Sequence, residues 1–146
     1  MYKKILVAID DSETSQCALE EALHLARCSD ARLYISHVAD ETLMSMHGRT
    51  FSTSLNLDHA IAAIAEAGRK LLDQAMTSAE GIEAESILLE ARNRRVSEVL
   101  VDKAKELDVD LIVIGRHSKR GIATLILGSV AEQVAKIADA SVLLVR

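Results

Sequence analysis

Short runs of branched apolar residues alternate along this chain with segments whose apolar positions recur at helical spacing. Ile5-Leu6-Val7-Ala8-Ile9 is continuously apolar and stops at Asp10-Asp11. Such a run reads as a strand buried on both faces. Ser12 stands where it can cap a helix, and Ala18, Leu19, Ala22, Leu23 and Ala26 give that helix one buried face. Asp30 then marks the turn into a second strand over residues 31–38. Strand, helix and strand in that order form a right-handed crossover unit.

Residues 39–53 lack a clear period and are expected to form a long irregular connection, either a plain surface loop or a cover for a site. From Ser54 a helical period returns in Leu57, Ile61, Ile64, Leu71, Leu72 and Ala75, ending near Ala79 with Gly81 at the exit. Residues 82–90 mix apolar and polar positions, which predicts an edge strand. Asn93 is the expected cap of the next helix, whose core face is Val96, Val99, Leu100, Ala104 and Leu107. After Asp108-Val109-Asp110 comes the strand Leu111-Ile112-Val113-Ile114. Val130, Val134, Ile137 and Ala138 face the core from a last helix, and Ser141-Val142-Leu143-Leu144-Val145-Arg146 reads as a terminal strand. Five strands and four helices alternate without a linker, so one α/β domain is expected over residues 1–146. If the terminal strand lies at the sheet edge, its backbone needs water, a cover or a second chain, and pairing in a two-fold homodimer is one solution.

Composition narrows the class. Apolar residues make up 49% of the 146, but aromatics only 2%, so the core must be built from aliphatic side chains. The formal charge of −5 argues against general nucleic-acid binding. No apolar run is long enough to span a membrane, and the start lacks the pattern of a signal peptide, which makes the cytoplasm the expected compartment. Cys17 and Cys28 form neither a disulfide framework nor a closed metal site and read as packing thiols.

Candidate chemistry concentrates around Gly115-Arg116-His117-Ser118-Lys119-Arg120-Gly121 and Gly128-Ser129-Val130-Ala131-Glu132. A buried strand leads into a basic glycine-containing connection and then a helix start, where Ser129 and Glu132 have capping-box spacing. Loops at the carboxyl ends of α/β strands are where ligands bind, and helix-start N–H groups can receive an anion. An ordinary strand exit and capped helix explain the same residues. The phosphate loop with its lysine, the dinucleotide fingerprint and the nucleophile elbow are all missing, so no catalytic residue is assigned. Asp10-Asp11 could meet Mg²⁺, although a strand-end turn accounts for the pair. His24, His37, His47, His59 and His117 make no strong metal motif. Arg92, Arg94 and Arg95 form a basic turn that either holds phosphate or is merely solvated.

Residues 5–13, residues 110–115 and Leu127-Gly128-Ser129-Val130-Ala131-Glu132-Gln133-Val134, followed by residues 141–145, resemble the universal stress protein family over essentially the full chain. The resemblance implies a doubly wound five-stranded parallel sheet, strand order 3-2-1-4-5, with helices on both faces, as in the adenine nucleotide alpha hydrolase-like fold. It implies a homodimer paired through residues 141–146. It also implies an ATP or other adenine-nucleotide site between the first and fourth strand ends, with Mg²⁺ possible through the phosphates. By family position Asp10 would contact the adenosine portion and Val38 would lie beside the base. Ile114 and Gly115 would line the pocket, and Gly128, Ser129 and Val130 would surround the phosphates.

The family's ATP-binding pattern is Gly, two residues, Gly, nine residues, then Gly followed by Ser or Thr. Here Ser118 replaces the middle glycine. A serine there is strained if the backbone needs positive φ, or adds a phosphate hydrogen bond if it does not. The leading expectation is an adenine-nucleotide-binding stress-response regulator, acting with a regulatory protein partner yet to be identified. The alternatives are a dimeric interaction protein without nucleotide and a slow Mg-dependent ATP hydrolase.

Overall fold

A computed structural model of the chain describes residues 1–41, 54–117 and 127–146, with the side chains of 54–56 left aside. The opening apolar run is β1 (Lys4–Ala8), followed by α1 (Glu13–Ser29), β2 (Arg32–Ala39), α2 (Ser54–Thr77) and β3 (Ala84–Glu90). Then come α3 (Val96–Glu106), β4 (Leu111–Gly115), α4 (Ser129–Ile137) and β5 (Ser141–Val145). All strand pairs are parallel and the order is β3-β2-β1-β4-β5, as expected.

Successive strand residues point to opposite faces, and two separate cores result. Ile5, Val7, Ile9, Leu33, Ile35, Leu111 and Val113 pack beneath α1 and α2. Leu6, Tyr34, Val38, Ile112 and Ile114 pack beneath α3 and α4. Strand β4 is apolar throughout and β1 is apolar from Ile5 onward because they are covered on both sides, whereas β3 carries polar residues because it is an edge. The other edge is β5, where residues 142–145 are only partly covered.

Several local expectations are corrected. Residue 39 is not loop: Ala39 closes β2 opposite Glu90. The irregular connection beyond Glu41, including His47, lies outside the described residues, as does Ser118. On α2, Leu72 and Ala75 are buried, but Leu57 and Ile61 are 41% and 40% exposed. On α4 the core positions are Ala131 and Val134, while Ile137 is 40% exposed. Asn93 does not cap α3, since Arg92 and Asn93 both have positive φ in the preceding turn and Arg95 is the N-cap. Cys17 and Cys28 are free and exposed, not packed. Cys28 Sγ lies 3.7 Å from His24 Nε2 on the outer side of α1.

Asp110 does a task the sequence did not reveal. Its carboxylate accepts from the Lys3 and Lys4 N–H groups at 2.9 and 3.3 Å, and so joins the starts of β1 and β4. That end of the sheet is opposite the candidate site.

Candidate functional site

Because β1 lies between β2 and β4, the chain leaves the sheet in opposite directions on either side of it. The carboxyl ends of β1 and β4 therefore flank a topological switch point, the usual place for a ligand in an open α/β sheet. Ala8 pairs with Ile114 at this end. On the face covered by α3 and α4, Val38 is 9% and Ile114 7% exposed, and Ala8, Leu127 and Val130 pack against the same cluster. Three of the sequence-expected site residues, Val38, Ile114 and Val130, are thus brought together. Ala8, on the strand between Val38 and Ile114, contributes only a methyl group there.

Asp10 follows β1 directly. Its Oδ1 accepts from the Ser12 N–H at 2.9 Å and from the Ser12 hydroxyl. Ser12 is the N-cap of α1, as expected, and its Oγ accepts from the Ser15 N–H at 3.2 Å. Ser15 Oγ in turn accepts from the Asp10 N–H at 2.7 Å. Asp10, Ser12 and Ser15 therefore close a ring that fixes the turn and occupies Oδ1. The Ser12 and Ser15 N–H groups are already bound within this turn, which makes them poor candidates for an external anion.

The start of α4 is different. Its N-cap is Gly128, which has no side chain with which to cap the helix, and Ser129 is the first helical residue. The expected capping box from Ser129 to Glu132 is absent: the Glu132 N–H bonds to the Gly128 carbonyl at 2.9 Å, and the Glu132 carboxylate pairs with Lys136. Ser129 is already a helical residue and so stands one position inside the cap. Gly128, Ser129 and Val130 thus begin a helix that lacks a side-chain N-cap, and its dipole favours negative charge. The Gly128 N–H donates to the Arg116 carbonyl at 2.9 Å, while the Arg116 N–H donates to Val145 at 2.7 Å. The exit of β4 is tied in this way to α4 and to β5.

Gly115 is buried, and the reason for glycine here is a close approach. A Cβ at this position would lie 2.8 Å from the carbonyl carbon and oxygen of Thr14, and 2.9 Å from its Oγ1. Thr14 also donates its hydroxyl proton to the His117 carbonyl. The first turn of α1 therefore rests on the β4 exit, a contact sequence reasoning missed. Toward a ligand Gly115 has only backbone atoms to offer.

The basic turn after β3 is partly committed to structure, with Arg92 paired to Glu90 and Arg94 to Asp102. The Asp102 hydrogen bond, with its charge, raises the Arg94 guanidinium above its ordinary value. A groove of about 230 Å³ opens between α1 and α2, lined by Asp10, Gln16, Leu19, Leu71 and Gln74 among others. Small-molecule pockets commonly measure about 300–1,000 Å³. The groove is small for a nucleotide, and it lies on the sheet face opposite the Val38–Ile114–Val130 cluster. None of the described helices is long and apolar enough to cross a membrane.

Comparison with known proteins agrees with this architecture. The profile of the universal stress protein family matches residues 1–146. Universal stress protein YxiE of Bacillus subtilis is 35% identical over 151 residues, covering 100% of both chains. Universal stress protein MJ0577 of Methanocaldococcus jannaschii is 30% identical over 156 residues, covering 100% of this chain and 96% of that one. The solved structure of MJ0577 superposes with a TM-score of 0.84 at 26% identity, covering 99% of this chain and 96% of the other. The universal stress protein from Archaeoglobus fulgidus, solved in complex with dAMP, superposes with a TM-score of 0.59 at 27% identity, covering 99% and 98%. Matched along its whole length in sequence and in strand order, the chain belongs to the universal stress protein family.

Proposed function

We propose that this protein is a regulatory module that binds ATP or another adenine nucleotide at the β1–β4 switch point. The observation that carries this reading is the pairing of a turn-fixed Asp10 carboxylate with the α4 start at Gly128, which has no side-chain cap. In the proposed complex a ribose hydroxyl donates to Asp10, and the adenine lies against Val38 and Ile114 beside the small Ala8. Gly115 contributes backbone. The phosphates meet the Ser129 hydroxyl and the N–H groups of Ser129 and Val130, beside Gly128, whose own N–H is held by Arg116 and which leaves room for their approach, with Ser118 as a further donor. Mg²⁺ would be held mainly through phosphate oxygens. The dAMP bound to the Archaeoglobus fulgidus relative supports the choice of an adenine ligand.

The module works as a cytoplasmic homodimer paired through Ser141–Arg146, a role supported by the edge position and partial exposure of β5. Ser118 in place of glycine favours one second reading, a dimeric interaction protein that has given up nucleotide. Native mass spectrometry after gentle purification, followed by titration with dAMP, AMP, ADP and ATP with and without Mg²⁺, separates the two. Binding of one adenine nucleotide per chain, lost in D10A, is the expected result. A dimer that neither copurifies with nucleotide nor binds it at millimolar concentration refutes the first reading and leaves the second.

A further inference from the structure

The peptide unit that joins Ile9 to Asp10 is held at both ends. Its carbonyl oxygen is 2.8 Å from His37 Nδ1, and its N–H donates to Ser15 Oγ at 2.7 Å. A carbonyl oxygen can only accept, so Nδ1 is the nitrogen that carries a proton. Ser15 is 4% exposed and His37 is partly buried, so neither partner is readily replaced by water. One residue earlier, the Ile9 N–H donates to Ser36 at 2.8 Å, which ties the end of β1 to β2.

The imidazole has a fitted seat. A Cβ at Gly68 of α2 would fall 2.8 Å from His37 Cδ2 and 3.4 Å from Nε2. The helix therefore passes over the ring with room for glycine and little more. Orientation of the Ile9–Asp10 peptide sets the direction in which the Asp10 side chain leaves the backbone, and Ser12 then holds its Oδ1. Three separate segments, β2, α1 and α2, converge to fix one carboxylate.

We propose that His37 is a positioning residue for adenine-nucleotide recognition, which acts through the Ile9 carbonyl to aim Asp10, with Ser15 as the opposing clamp and Gly68 as its seat. This inference rests on the nucleotide reading given above. His37 itself touches no ligand in it.

The test uses the full-length wild-type protein with H37N, H37L and G68A, and dAMP as the probe. Nitrogen-15 NMR of the wild type should show the His37 ring protonated at Nδ1. H37L should weaken dAMP binding by about fivefold to tenfold, the range expected from loss of one orienting hydrogen bond. It should also speed hydrogen exchange at the Asp10 amide. Asparagine can place an amide N–H near the Nδ1 position, so H37N should recover both properties. G68A should shift both in the H37L direction although His37 is intact. A neutral ring protonated only at Nε2, wild-type dAMP affinity in H37L, or an H37N protein as weak as H37L would each overturn the proposal. If H37L does not fold, the tautomer measurement and H37N still decide. If the wild type binds no dAMP, the nucleotide reading fails and the recognition role of His37 falls with it; the tautomer and exchange data then report whether the clamp itself exists.

Discussion

Gly115→Ala tests whether the first turn of α1 determines the residue at the β4 exit. The added methyl would lie 2.8 Å from two backbone atoms of Thr14. That is about 0.7 Å inside the usual carbon contact distance. Neither side yields easily. Gly115 pairs with Val145 within the sheet, and the turn carrying Thr14 is anchored by buried Ser15, Ala18 and Leu19. Relief requires the start of α1 to lift, which also stretches the bond from Thr14 to the His117 carbonyl. Overpacking costs about 1–3 kcal/mol and the weakened hydrogen bond about 1 kcal/mol. Reduced entropy of the unfolded chain returns about 0.4–1 kcal/mol. The net loss is therefore about 1–3.6 kcal/mol, a large share of the roughly 5–15 kcal/mol typical of a domain. Urea denaturation should show a lower midpoint with an unchanged slope. Trimming Thr14 should help little, because two of the three close atoms are backbone. A G115A protein within about 0.5 kcal/mol of wild type, the range of an inconsequential surface change, would refute the argument. So would full recovery in T14A/G115A.

Three further outcomes follow from the local geometry. Ser12→Ala removes the α1 cap and should cost about 1 kcal/mol in the same denaturation assay, while releasing Asp10 Oδ1 and lowering dAMP affinity beyond any stability effect. Gly81 has a φ of +78° with open space where a Cβ would go. G81A should therefore lose about 1–2 kcal/mol through backbone strain alone, with G81N losing less by thermal melting. Lys105 is raised above its ordinary value of 10.5, first by its hydrogen bond to Asp139 and then by that residue's charge. A raised folded value means the contribution is complete below about pH 10.5 and is lost as pH climbs through the folded value. K105M should consequently be less stable than wild type at pH 8, and the gap should close in strongly alkaline buffer. A gap that widens with alkali would contradict the assignment.

Those parts of the fold that depend on periodicity were legible in the chain. Ile5 to Ile9 and Leu111 to Ile114 are apolar at every position because both sheet faces are covered, and the mixed pattern of residues 84–90 matches an edge. Periodicity also misled. Leu57, Ile61 and Ile137 continue a helical stripe yet are exposed. Capping motifs were legible only to within two residues: Ser12 caps α1, but the Ser129–Glu132 spacing is one position late because Gly128 takes the N-cap, and Arg95 caps α3 in place of Asn93. At the candidate site, Val38, Ile114 and Val130 belong to one apolar cluster. The long-range contacts around the site were hidden because their partners are distant in the chain. His37 lies 28 residues from Ile9, and Thr14 lies 103 from His117. No local pattern encodes such pairs.

The middle position of β1 has a consequence for the order of folding. Its residues Ile5, Leu6 and Val7 are completely buried, yet Ile5 finds its β4 neighbour only at Leu111. The β1–α1–β2 crossover unit can form early, but one flank of its most apolar strand stays open until most of the sequence has emerged from the ribosome. Long-range parallel pairing of this kind is slow to close and leaves an adhesive edge exposed meanwhile. During synthesis, a strand whose middle is completely buried in the finished protein is therefore vulnerable to a wrong neighbour.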